Sequence, residues 1–153
     1  MDDEAPLLLV VENDNGLRSD YGVWLVDEGY RVLLAANGLE ALELTRMHLP
    51  NLLLMNLDLP VLDGWEVTRV LRRDPRLCGI RVVAMTGRGT KTPDCDGKSA
   101  GCDASLRTPV SRPTLLAVAH RWVPLVPESL TRIKVQRADS GPQTPWSLLR
   151  RRV

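Results

Sequence analysis

Short apolar runs, separated by longer stretches of helical period, constrain this chain more than any other feature. Leu7–Val11 is an unbroken apolar run, the pattern of a strand covered on both faces. The next segment places Leu17, Tyr21, Trp24 and Leu25 at spacings of three and four before Gly29, so it reads as a helix with one buried stripe. Arg31–Leu34 fits a second strand, and Asn37 caps a second helix carrying Leu39, Leu42 and Leu44. A third strand runs from about Asn51 to Asn56 or Leu57 and stops at Pro60. A third helix follows Asp63, its cap, with Val67, Val70 and Leu71 inward and Arg69, Arg72 and Arg73 outward. Ile80–Met85 and Ala104–Arg107 fit a fourth and a fifth strand, and Arg112–Trp122 a fifth helix with Leu115, Leu116, Val118 and Ala119 on its apolar face. Between them, GRGTKTPDCDGKSAGCD has little apolar periodicity, so a fourth helix there is expected to be short or frayed. Strand and helix alternate throughout, which predicts an α/β domain around a parallel sheet.

The length of 153 residues and 44% apolar content are enough for one core. Net charge is +1, but residues 124–153 alone hold 6 Lys/Arg against 2 Asp/Glu. Pro124, Pro127, Pro142 and Pro145 punctuate this stretch, which ends in Arg150, Arg151 and Arg152. It reads as a basic, proline-containing tail after a domain at 1–123, too short for a second core, with room for one short helix from Pro127 to about Gln136. Trp146 in that tail is a candidate anchor on the domain or on a partner, and the arginine triplet reads as a solvated end. No apolar run approaches the roughly 20 residues of a membrane span. The acidic start MDDEAP is unlike a secretory signal, so a cytoplasmic location is expected. Cys78, Cys95 and Cys102 form neither a CxxC nor an even set and read as reduced thiols. Neither GxxxxGK[ST] nor GxGxxG follows a strand, which argues against a nucleotide-binding enzyme.

In a doubly wound sheet, function collects at the carboxyl ends of the strands. Those ends here carry Glu12, Asn13 and Asp14, then Asn56, then Thr86, then Thr108 and Pro109. With the motifs LLLVVEND, NLDLPVLDG, VVAMTG and the Gly-Cys-Asp to Thr-Pro stretch in this order and spacing, residues 7 to about 122 resemble the receiver domain of bacterial two-component response regulators. The resemblance implies a (βα)5 flavodoxin-like three-layer sandwich with strand order 2-1-3-4-5. It also implies an aspartyl phosphorylation assisted by magnesium, in which an acidic pair and an acceptor aspartate hold the ion, a Thr/Ser and a Lys contact the phosphoryl oxygens, and an aromatic on the fifth strand reports the state.

Carried over position by position, the acidic pair corresponds to Glu12 and Asn13, and the acceptor to Asn56, placed by Pro60 and Asp63-Gly64. The hydroxyl is Thr86, the lysine position holds Thr108, and the aromatic position holds Ser105. A neutral amide cannot serve as the nucleophile. Loss of the acceptor carboxylate together with the lysine leaves no unpaired buried charge, so the departures fit one another. The expectation is a pseudo-receiver that is not an enzyme, holds no catalytic residue and binds magnesium weakly or not at all. Such a module is expected to meet a histidine kinase, an output protein or a second copy through the face formed by the fourth helix, fifth strand and fifth helix. Two alternatives stand beside it: a phospho-accepting domain with Asp58 as relocated acceptor, and a nucleic-acid-associated module using the tail.

Overall fold

The computed structural model describes residues 5–87 and 101–126. Five strands, β1 (Leu7–Val11), β2 (Arg31–Ala35), β3 (Leu52–Asn56), β4 (Arg81–Thr86) and β5 (Ala104–Arg107), form one sheet in the order β2-β1-β3-β4-β5, and every neighbouring pair is parallel. The helices are α1 (Asn15–Glu28), α2 (Gly38–His48), α3 (Gly64–Arg73) and α4 (Arg112–Trp122). The expected fourth helix falls mostly within 88–100, outside the described residues, so the helix anticipated as the fifth is α4 here.

Side chains alternate across the sheet with the period of the pleat. Leu9, Val11, Leu53, Met55, Val82 and Ala84 face α2 and α3, while Leu8, Val10, Leu52, Leu54, Val83 and Met85 face α1 and α4. Both faces are therefore dry, which is why β1 is apolar at every position and buried along its whole length. The result is a flavodoxin-like three-layer sandwich, the architecture expected from the motif order.

The helix ends follow local chemistry. Asp14, Asn37, Asp63 and Ser111 each accept a backbone N–H from the first turn of α1, α2, α3 and α4 respectively. Gly29 ends α1 in the left-handed region at φ 118°, where a side chain would be strained. Beyond α4, Val123 and Leu125 still pack against the layer beneath α1, and the Tyr30 hydroxyl donates to the Val123 carbonyl at 2.7 Å. Burial, with the Glu28 charge second, pushes the Tyr30 phenol up to about 12, so it remains a donor near neutrality.

A tertiary contact decides the buried face of α2, and the expected placement of Arg72 is corrected. Leu39, one of the three leucines expected on α2, is 53% exposed. The buried face is instead Gly38, Ala41, Leu42 and Thr45. It is set by Gly38, where a Cβ would stand 2.0 Å from the Leu62 carbonyl oxygen, so the helix turns its side without a side chain toward that loop. Arg72 was expected outward, yet its guanidinium turns back across the amino ends of β4 and β5. It donates to the carbonyls of Gly101 (2.7 Å), Cys78 (2.9 Å) and Ile80 (2.7 Å) and to Asp103 Oδ2 (3.1 Å). Asp103 in turn accepts from the Val82 N–H at 2.8 Å and pairs with Arg81. Three of the four acceptors of Arg72 are main-chain carbonyls at chain reversals, which otherwise need water or a cap.

Candidate functional site

The strand order reverses direction between β1 and β3, and the ends of these two strands bring Glu12 and Asn56 together. Glu12 is 1% exposed although it carries a carboxyl group. The Asn56 amide nitrogen donates to both of its oxygens, at 3.1 Å to Oε1 and 3.0 Å to Oε2, and the Asp14 N–H donates to Oε2 at 3.1 Å. The Asn56 amide oxygen accepts the Asp58 N–H at 2.9 Å. This arrangement fixes the amide orientation. Flipped, its oxygen would face a carboxylate and its NH₂ would face another N–H donor. Glu12 thus acts only as an acceptor, the role of an ionised carboxylate, and the amide supplies the compensation for burying it.

The remaining candidate residues spread outward from this pair. Thr86 is buried, and its hydroxyl makes a long 3.5 Å contact to the Leu106 carbonyl, so it bridges β4 to β5. Thr108 donates its N–H to the Thr86 carbonyl at 2.8 Å and is followed by a cis bond to Pro109. Asn13, Asp58 and Ser105 are exposed. Asp14 is committed to capping α1. The structure therefore joins Glu12 and Asn56 directly and leaves Asn13, Asp58 and Ser105 facing solvent.

Two further residues contribute, Arg18 without a sequence signal of its own and Tyr21 from the buried stripe of α1. Arg18 on α1 donates to the Glu12 carbonyl at 2.8 Å and also to Asn15, which brings a cation to the rim without pairing it to the Glu12 carboxylate. Tyr21, buried beneath, accepts the Val110 N–H at 3.0 Å and so ties α1 to the segment after β5. Burial pushes the Tyr21 phenol up, and the nearby charges of Glu12, Asp14 and Asp20 act in the same direction against the Val110 hydrogen bond.

The loop from β3 to α3 closes one side. Val61 sits in the left-handed region at φ 68°, with Leu62 N–H donating to the Pro60 carbonyl at 2.7 Å. Gly64 lets the loop return against the strand end: a Cβ there would lie 2.6 Å from the Asn56 carbonyl oxygen and 2.8 Å from Leu57 Cα. Gly64→Ala is therefore expected to cost about 1–3 kcal/mol, read as a lower urea midpoint, because the contacting atoms are backbone and cannot rotate away.

Magnesium takes hard oxygen ligands in near-octahedral geometry. As arranged, the donor set does not fit it, because both Glu12 oxygens face N–H donors and Asp14 is turned to the helix terminus. Among the described residues, no group of three or more His, Cys, Asp or Glu side chains is placed to hold a metal ion. What the pair can do is hold β1 and β3 together through hydrogen bonds that satisfy the buried carboxyl group.

A parallel sheet with polar side chains gathered at its switch point defines the flavodoxin-like class of doubly wound domains. Within that class, the family described as response regulator receiver domain matches residues 8–120, and the chain belongs to it. The polar-differentiation response regulator DivK of Brucella anthropi is 36% identical over 119 residues, covering 77% of this chain and 97% of DivK. Response regulator Rre1 of Synechocystis is also 36% identical, over 74% of this chain but 49% of its own length, so the chain spans about half of that relative. Among solved structures, the receiver domain of a sensor histidine kinase from Pseudomonas aeruginosa, with a magnesium ion coordinated in its active site cleft, superposes with a TM-score of 0.69 at 28% identity, covering 77% of this chain and 97% of that one. The chain is thus a receiver domain of two-component signalling. No helix among the described residues is long and apolar enough to cross a membrane.

Proposed function

We propose that this receiver works without aspartyl phosphorylation, as a protein-protein interaction module in a phosphorelay pathway of the cytoplasm. The observation that carries this reading is the bond of Asn56 to both oxygens of buried Glu12. An amide occupies the acceptor-equivalent position, and its N–H groups are already committed to hydrogen-bonding the one acidic side chain buried there. Thr108 and Ser105 at the lysine- and aromatic-equivalent positions remove the partners through which a phosphoryl group would be sensed. Magnesium binding is accordingly weak or absent. The module, residues 1–123 with the tail at 124–153, recognises a histidine kinase, an output protein or its own copy. β5, the edge strand of the sheet, exposes Ser105 and Arg107 and belongs to the recognition face with α4, while the segment between β4 and β5 expected to join them lies mostly outside the described residues.

The exposure of Asp58 keeps a second reading in view, in which this carboxylate accepts the phosphoryl group instead. Incubation with acetyl phosphate and magnesium, followed by intact-mass measurement, separates the two. No phosphoryl adduct is expected; an adduct that disappears in Asp58→Ala would establish the relocated acceptor and overturn the proposal.

A further inference from the structure

On the opposite flank from β5, α1 and the edge strand β2 leave a groove of about 350 Å³ lined by Ser19, Gly22, Val23, Val26, Val32 and Leu34, with Asp27 at its side. Val23, Val26 and Leu34 are 53%, 56% and 43% exposed. Single exposed apolar residues are ordinary, but three that line one groove mark a contact surface. Gly22 shapes it, since a Cβ there would lie 3.0 Å from the Leu34 side chain, so helix and strand approach closely at the floor.

The course of the chain after α4 names an occupant. Val123 is held by the Tyr30 hydroxyl, and Leu125 lies beside Gly29, 3.5 Å from where a Cβ would stand. The chain therefore reaches Val126 at the carboxyl end of α1, where the groove begins with Val26 and Asp27. Val126 is 55% exposed and points to no core of its own. In the sequence that follows, Leu130 and Ile133 stand four and seven residues beyond Val126, one face of a helical period. At about 1.5 Å per residue, a helical stretch from Val126 to Ile133 matches the roughly 10 Å of α1 from Val26 back to Ser19. Charge agrees as well: Asp20 is exposed on α1, Asp27 beside it pairs with Arg112 at 3.8 Å, and residues 127–153 hold 6 Lys/Arg against 2 Asp/Glu.

We infer that the segment following α4 folds back on its own domain and lays the Val126, Leu130 and Ile133 face into the groove between α1 and β2. The tail is then an intramolecular cover for an apolar surface, and its local concentration is set by attachment at Val126.

Hydrogen-deuterium exchange on the full chain tests this. Amides of 128–136 should exchange about tenfold more slowly than an unprotected peptide. That protection should vanish both in Val23→Glu/Val26→Glu and in Leu130→Asp, while β1 and β3 amides stay protected in each. Unprotected exchange of 128–136 in the wild type, or protection untouched by either set of substitutions, would overturn the inference. So would protection that grows with protein concentration alongside a dimeric mass, which would assign the groove to a second copy.

Discussion

Asn56→Asp is expected to destabilise the domain by about 3 kcal/mol near neutrality, and to leave it unable to take up a phosphoryl group efficiently. The amide nitrogen that now donates to both Glu12 oxygens at 3.0–3.1 Å would be replaced by a second carboxylate oxygen against a side chain only 1% exposed. Two carboxylates at that distance cannot both ionise cheaply, so the introduced group takes up a proton more readily in the folded state than in the unfolded chain. The sign follows from linkage: a carboxyl titrating higher when folded contributes stability at low pH that is lost as pH rises. The deficit relative to wild type should therefore shrink at about pH 5 and widen toward neutrality in urea melts. Labelling should stay poor because Thr108 and Asn13 remain. Robust magnesium-dependent labelling of Asn56→Asp alone would show that the pocket kept its chemistry, contrary to the proposed function.

Arg72→Ala should be as damaging, at about 2–4 kcal/mol, although it lies on the opposite rim of the sheet from Glu12 and Asn56. It removes the donors to three backbone carbonyls and to Asp103, whose side chain is 20% exposed. The stem also fills space that Gly101 leaves open, with Arg72 Cγ 2.7 Å from where a Cβ would be. Arg72→Lys should recover less than half of the loss, because one ammonium cannot replace a planar fork reaching several acceptors. Thermal and urea midpoints of the two variants check this, and near-identical values for wild type and Arg72→Lys would show that charge alone suffices.

Arg72 also marks where sequence reading stops. Its position in α3 follows two apolar residues and precedes another arginine, which is the pattern of a solvated face, and nothing local announces that its acceptors lie at Cys78, Ile80 and Gly101. Main-chain carbonyls leave no trace in the residue types that carry them. By contrast, the strands, the caps at Asn37 and Asp63 and the stop at Gly29 were legible because each depends on its own few residues. Leu39 fell between these cases: its spacing from Leu42 was helical, but the buried face of α2 was decided by the close approach of Gly38 to Leu62, a contact between distant segments. At the site, motif order placed Glu12 and Asn56 at neighbouring strand ends. That the amide grips both carboxylate oxygens depended on side-chain geometry, as did the approach of Arg18 to the Glu12 carbonyl.

The Arg72–Asp103 clamp lies at the amino ends of β4 and β5, whereas the Glu12–Asn56 pair lies at the carboxyl ends of β1 and β3. The two occupy opposite rims of the sheet and share no residue. A lineage carrying this division of labour is free to rewrite the chemistry of one rim while the other goes on holding the scaffold in shape. Evolvability is here a property of where the polar bonds sit, since side chains on one rim can change while the bonds of the other keep the architecture intact.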